Sequence, residues 1–276
     1  MISGPVEYRT VGSGRPSTVV AHGLGESIET TRPFASGLRG RRTFLHFRGH
    51  GGFRATAPVD ATGAAAATGD AEHAADPWTY EGLADDLEGV ADRVDATRAI
   101  GVSLGTGAIL ALLARRPDAF EAAVLLLPAA LARPRQGAGV ARFAAMADLV
   151  DAGRVDDLAA LLVDEQADLG ADPARDDVRA WARRRAEAMT AAGLAPALRA
   201  MPGRAPLPHP AHRALARVSA RCLVVGAEGD DVHPASVAAD LADALPDARL
   251  EILPPGGLVW AHRDRLRHLV TDALRA

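Results

Sequence analysis

Over residues 1–128 short apolar runs alternate with segments of helical spacing. Residues 6–11 and 17–21 read as two strands around a Gly-Ser-Gly turn, and residues 43–47 as a third. Leu83, Leu87, Val90 and Val94 recur at intervals of three and four, which predicts a helix from Thr79 onward. Residues 97–102 form a strand, 105–115 a helix that stops before Pro117, and 120–127 an unbroken apolar run suited to a strand buried on both faces. Between them lies a stretch over residues 54–77, rich in Ala, Thr, Gly and Asp, which has no period and predicts a long loop.

Over residues 129–220 the strand signal vanishes and amphipathic helices rich in Ala, Arg and Asp take its place, broken near Gly153, Pro173, Gly193 and Pro202. Alternation then returns: a strand over 221–226, a helix over 235–244, a strand over 249–253 and a final helix over 259–274. The pattern predicts an α/β fold with a mostly parallel sheet and helices on both faces. Residues 1–128 and 221–276 form its core, and residues 129–220 an inserted helical cap.

Composition narrows the function classes. The chain has 276 residues and a net charge of −4, with no lysine and no basic patch, so nucleic acid is not an expected partner. No apolar run approaches the roughly 18–20 residues that span a bilayer. The first ten residues lack a charged start followed by an apolar core, which points to a cytoplasmic protein without membrane attachment. The single cysteine, Cys222, precludes an internal disulfide or a thiolate metal cluster, and its place in an apolar strand suits a small core residue. His46 and His50 stand four apart on a strand and turn rather than on one helix face, which does not suit a metal site. The Arg183-Arg184-Arg185 run reads as a solvated helix face; Trp181 and Met189 read as helical core by default, with a ligand pocket as the alternative. The sequence leaves the oligomeric state open.

The chemical signal is Gly101-Val102-Ser103-Leu104-Gly105, a G-x-S-x-G string with a strand before it and a helix after it. A serine there sits on a sharp turn with strained backbone angles, and small flanking residues let two chain segments pass closely. The amino end of the following helix favours negative charge developing beside the hydroxyl.

With this string, Ala21-His22-Gly23-Leu24-Gly25, Phe47-Arg48-Gly49-His50-Gly51 and Val225-Gly226-Ala227-Glu228-Gly229-Asp230 followed by Pro234, the chain resembles the α/β-hydrolase superfamily along nearly its whole length. The likeness is to small esterases, haloperoxidase-like proteins and C–C hydrolases. It implies a serine-dependent hydrolase or acyltransferase acting on a small, mostly apolar ester, lactone or thioester, with no cofactor and no metal. By position, it implies Ser103 as nucleophile, the N–H groups of Leu24 and Leu104 as the oxyanion hole, and Asp230, ahead of Asp231, as the acid. His22 and His50 fall at positions that buttress loops.

The resemblance fails at the base. The loop after the last strand reads Leu253-Pro254-Pro255-Gly256-Gly257-Leu258, with leucine where the superfamily places histidine. A serine without an adjacent base is a weak nucleophile. His262, one helical turn beyond Leu258, is the first substitute. His233, three residues after Asp230, is another; His209 and His212 in the cap could fold over the pocket, and His268 lies deeper in the last helix. If none serves, the chain is a degenerate hydrolase that binds a small molecule or promotes a non-hydrolytic reaction in the same pocket.

Overall fold

The computed structural model describes residues 6–51, 78–135, 137–168 and 170–275. The loop expected over residues 54–77 lies outside them. Among the described residues seven strands form one sheet in the order β1-β3-β2-β4-β5-β6-β7: β1 (Tyr8–Val11), β2 (Ser17–Ala21), β3 (Arg41–Leu45), β4 (Arg98–Val102), β5 (Ala122–Leu126), β6 (Arg221–Ala227) and β7 (Ala248–Leu253). β1 runs antiparallel to β3; every other pairing is parallel. The central strands β2, β4 and β5 are buried along their whole length, as their apolar sequences require of a sheet covered on both faces.

Side-chain alternation divides the core in two. Val19 and Ala21 turn to one face, where they pack with α2 (Tyr80–Arg93), α3 (Leu104–Arg115) and α8 (Ala235–Ala244). Val20 turns to the other, where it packs with Ile28 of α1 (Ile28–Thr31) and with Leu266, Leu269 and Val270 of α9 (Arg263–Ala273). α1 and the 3-10 turn Arg32–Ala35 that follows it had no periodic signal, since neither reaches two turns. α1 is instead set by its cap: the Ser27 side chain accepts from the Thr30 N–H, and the Thr30 hydroxyl accepts from the Ser27 N–H.

Between β5 and β6 lie α4 (Ala138–Asp151), α5 (Val155–Asp168), α6 (Asp176–Ala192) and α7 (Ala195–Ala200), with no strand among the described residues. The chain after β7 differs from the long helix expected there. Gly257–Ala261 form a π-helical turn, His262 breaks the run, and α9 begins only at Arg263. The preceding Gly256 has φ +137°, a conformation that suits glycine where the chain turns from β7 into the π-helical turn.

Three histidines brace the loop after β2. Nε2 of His50 accepts the Gly25 N–H at 3.0 Å, Nε2 of His46 accepts the Ile28 N–H at 2.9 Å, and Nε2 of His22 accepts the Phe47 N–H at 3.0 Å. An accepting Nε2 must be bare, so each ring carries its proton on Nδ1, which faces Glu7, Arg48 O or Gly23 O. Burial pushes the pKa of His22 well below its ordinary value, and the neighbouring His50 adds to this. Burial likewise pushes His50 down, from 6.5 to about 4.

A folded-state pKa below the unfolded one means that the unfolded chain takes up the proton first. The His50 contribution is then whole above pH 6.5 and is lost as the pH falls toward 4. Its size is on the order of 3 kcal/mol across that window. The melting temperature is expected to fall between pH 7 and pH 4.5, and the His50→Gln variant, melted in parallel, to show a flatter dependence.

Candidate active site

Ser103 sits between β4 and α3 with φ +49° and ψ −101°, a strained conformation for a non-glycine residue. Packing holds it there. The Ser103 N–H donates to Leu126 O at 2.9 Å, and the Thr106 hydroxyl lies 3.0 Å from Gly101 O and 2.9 Å from Leu126 O. A Cβ on Gly105 would lie 2.3 Å from Ala21 O, and one on Gly101 2.6 Å from the Thr106 nitrogen. These two glycines let α3 close onto the sheet and lift the serine above it.

Asp230 lies in the turn after β6 and is buried, while Asp231 beside it is exposed. Its Oδ1 accepts from the backbone N–H groups of Val232 and His233, both at 2.9 Å, and its Oδ2 from His233 Nδ1 at 2.8 Å. Burial alone would raise the carboxyl pKa; the His233 imidazole and these hydrogen bonds outweigh it and hold the group below the usual carboxylate value. The other nitrogen of the same ring, Nε2, lies 2.9 Å from Ser103 Oγ. Carboxylate, imidazole and hydroxyl thus form one line.

A fourth group touches that line. Nη2 of Arg135, from the segment between β5 and α4, donates to Ser103 Oγ at 3.1 Å, and its guanidinium lies over the Phe143 ring. An ionised Asp230 only accepts, so Nδ1 of His233 carries the proton it donates there; in the neutral ring Nε2 is then bare and accepts from the Ser103 hydroxyl. Burial lowers the Arg135 pKa, which the nearby Tyr80, Asp230 and Glu165 oppose.

His262, expected first as the substitute base, is placed elsewhere. It is half-buried, and its Nε2 lies 2.8 Å from Pro254 O and 3.1 Å from Pro255 O. The π-helical turn and the late start of α9 put it behind the loop instead of one regular turn beyond Leu258. Leu258 is buried and lines the cavity in front of Ser103. His209 and His212 face each other with ring centroids 4.2 Å apart, His268 Nδ1 turns to Asp264 O, and none of the three lines that cavity. Asp230 and His233 stand at i and i+3 on one turn, a spacing visible in the sequence, but which way the ring rotates is not.

The cavity encloses about 320 Å³ between the sheet edge and the helical insertion. Leu24 and Ser103 border it; Leu104, at the amino end of α3, is buried next to Ser103. Phe34, Leu127, Phe143, Trp181 and Trp260 give it apolar walls. Arg185, expected on a solvated face with its two neighbours, instead turns inward. It donates from Nη2 to Leu24 O at 2.9 Å and from Nε to Gly25 O at 3.2 Å, and covers the Trp181 ring. Trp181, expected in helical core, is half-buried and borders the cavity, whereas Met189 is buried against Gly25.

Residues 18–269 match the family model described as "Alpha/beta hydrolase family". The chain belongs to that family. No curated protein sequence matches it significantly. Among solved structures it is similar to an esterase from Exiguobacterium antarcticum, with TM-score 0.75, 17% identity, and 97% of this chain and 94% of that one covered. It is also similar to an enol-lactonase from Burkholderia xenovorans LB400, with TM-score 0.67, 22% identity, and coverage of 98% and 96%. A meta-cleavage product hydrolase from Pseudomonas fluorescens IP01 matches with TM-score 0.69, 19% identity, and coverage of 97% and 93%. At these identities the likeness is one of fold.

The clearance around the elbow generates a test. Gly105→Ala sets a methyl against Ala21 O, both on regular backbone, and is expected to cost at least about 2–3 kcal/mol. Denaturant unfolding checks it, with Gly89→Ala in α2, which meets nothing within 4 Å, as the unobstructed comparison, expected to stabilise by about 0.5–1 kcal/mol.

Proposed function

We propose that the chain is a serine hydrolase of a small ester or lactone, in which Ser103 is the nucleophile, His233 the general base and Asp230 the acid that orients it. One observation carries the reading: a single imidazole bonded at 2.9 Å to the serine hydroxyl and at 2.8 Å to a buried carboxylate. This is the arrangement that activates a hydroxyl nucleophile. The reading that hydrolysis has been lost rested on Leu258, and an imidazole from the loop after β6 removes its ground.

The chemistry follows from the proton positions. Ser103 Oγ attacks the carbonyl carbon as its proton passes to His233 Nε2, and Asp230 stabilises the imidazolium. The carbonyl oxygen becomes an anion beside the amino end of α3, where the N–H groups of Leu104 and Leu24 are the proposed donors. Collapse breaks the bond to the leaving alkoxide, which takes the proton from Nε2. Water then repeats the sequence on the acyl-serine and releases the acid. Transfer of the acyl group to an alcohol or thiol uses the same steps. Arg135 holds Oγ in the orientation that donates to His233.

Several variants separate this from a His262-based reading. Ser103→Ala and His233→Ala are each expected to lower kcat for p-nitrophenyl acetate by roughly 10⁴-fold or more, with His262→Ala within twofold of wild type. The reverse, a large loss at His262 and none at His233, would sink the proposal. Arg135→Met is expected to lower kcat by about tenfold with little change in KM, because the contact bears on Oγ and not on binding.

A further inference from the structure

Two carboxylates that line the cavity each leave one oxygen without a partner. Oε2 of Glu26, in the loop after β2, and Oε2 of Glu165, on α5, are both buried and have no hydrogen-bond partner among the described residues. Glu165 as a whole is 9% exposed, and both residues line the cavity that holds Ser103. They approach from opposite sides, one from the sheet and one from the helical insertion. A buried acceptor left unpaired costs about 1–3 kcal/mol, and more when it carries charge. Two such acceptors on residues that line one cavity call for a donor.

The neighbouring cations donate elsewhere, although Nη1 of Arg135 is, like the two carboxylate oxygens, buried without a partner among the described residues. Arg185 donates to Leu24 O and Gly25 O, and Arg135 to Ser103 Oγ. Burial, opposed by Arg185 and His233 and assisted by Glu165, pushes the Glu26 carboxyl pKa up. The missing partner is therefore one that can donate to a carboxyl or a carboxylate.

The distance from the reacting centre is also set. Ser103 Cβ and the Glu26 carboxyl carbon both lie within 3.6 Å of the point that a Cβ on Gly23 would occupy. Gly23 thus keeps open a gap with the nucleophile on one side and the carboxyl on the other. A group lying there is only a few bonds from a carbonyl held at Ser103.

We propose that Glu26 and Glu165 form a recognition site for a hydrogen-bond donor, a hydroxyl or a protonated amine, carried by the substrate two or three bonds from its scissile carbonyl. This deepens the hydrolase reading and rests on Ser103 as nucleophile. It turns the expectation of a mostly apolar substrate into one of a short chain with a polar end. Such a site rejects an apolar isostere because the substitution leaves its own buried acceptors unpaired.

The test is a series of p-nitrophenyl esters of butanoate, 3-hydroxypropanoate and 3-aminopropanoate, which differ only in a terminal methyl, hydroxyl or ammonium. Wild type is expected to prefer at least one donor-bearing ester over butanoate by tenfold or more in kcat/KM. The higher of the two says whether the natural group is an alcohol or an amine. In Glu165→Gln and Glu26→Gln the preference ratio is expected to fall at least threefold. Equal rates on all three esters, or a preference unmoved by both variants, would overturn the proposal while leaving the triad standing. If Ser103 gives no turnover at all, the hydrolase reading fails by itself. The site is then judged by titrating Ser103→Ala protein with butanamide, 3-hydroxypropanamide and 3-aminopropanamide, followed by NMR. Tighter binding of a donor-bearing amide, weakened by Glu165→Gln, supports the site; equal binding of all three rejects it.

Discussion

The left-handed backbone at Ser103 is the constraint on which the rest of the site depends. A serine does not hold φ +49° unaided; it costs of order 1–3 kcal/mol and persists only where surroundings impose it. Here they do so through the Ser103 N–H on Leu126 O, the Thr106 hydroxyl between two strand carbonyls, and the contact of Gly105 with Ala21. Every one of these draws on β2, β4 or β5, the three strands buried along their whole length. The apolar sheet centre is therefore what supports a polar, strained residue at its edge.

Around that point, polar groups are held by partners of fixed direction. His22, His46 and His50 are acceptors at Nε2 and so are neutral braces for the loop that carries Leu24. Asp230 is saturated by two backbone N–H groups and one ring nitrogen. Asp230 can only accept, which puts the proton of the neutral His233 ring on Nδ1 and leaves Nε2 to receive the serine proton. Order in this site comes from hydrogen-bond sign as much as from shape.

The parts of this arrangement that are local in the chain were legible in the sequence. The Ser103 string with its flanking strand and helix, the mostly apolar central strands and Asp230 ahead of Pro234 need only neighbouring residues to be recognised. What escaped depends on direction over longer range. The run of three arginines has a solvated composition, yet the helix rotation sends Arg185 to the carbonyls of Leu24 and Gly25. The apolar spacing after residue 258 continues as if helical, but the π-helical turn Gly257–Ala261 and the break at His262 interrupt it. His233 stood in plain view beside Asp230; only the fold brings that loop over Ser103, from 130 residues away in the chain.

Carboxylate and imidazole occupy four consecutive positions, 230–233, ahead of α8. Everything the proposed proton relay needs is present before β7 and α9 are reached in the chain. The segment after β7 then carries no obligation to supply an imidazole, and Gly256, Gly257, Leu258 and Trp260 face the cavity instead. That loop is free to drift: substitutions there can reshape which molecules enter without disturbing how a proton moves. In relatives sharing the 230–233 arrangement, substrate range would then diverge fastest at the positions matching 256–260.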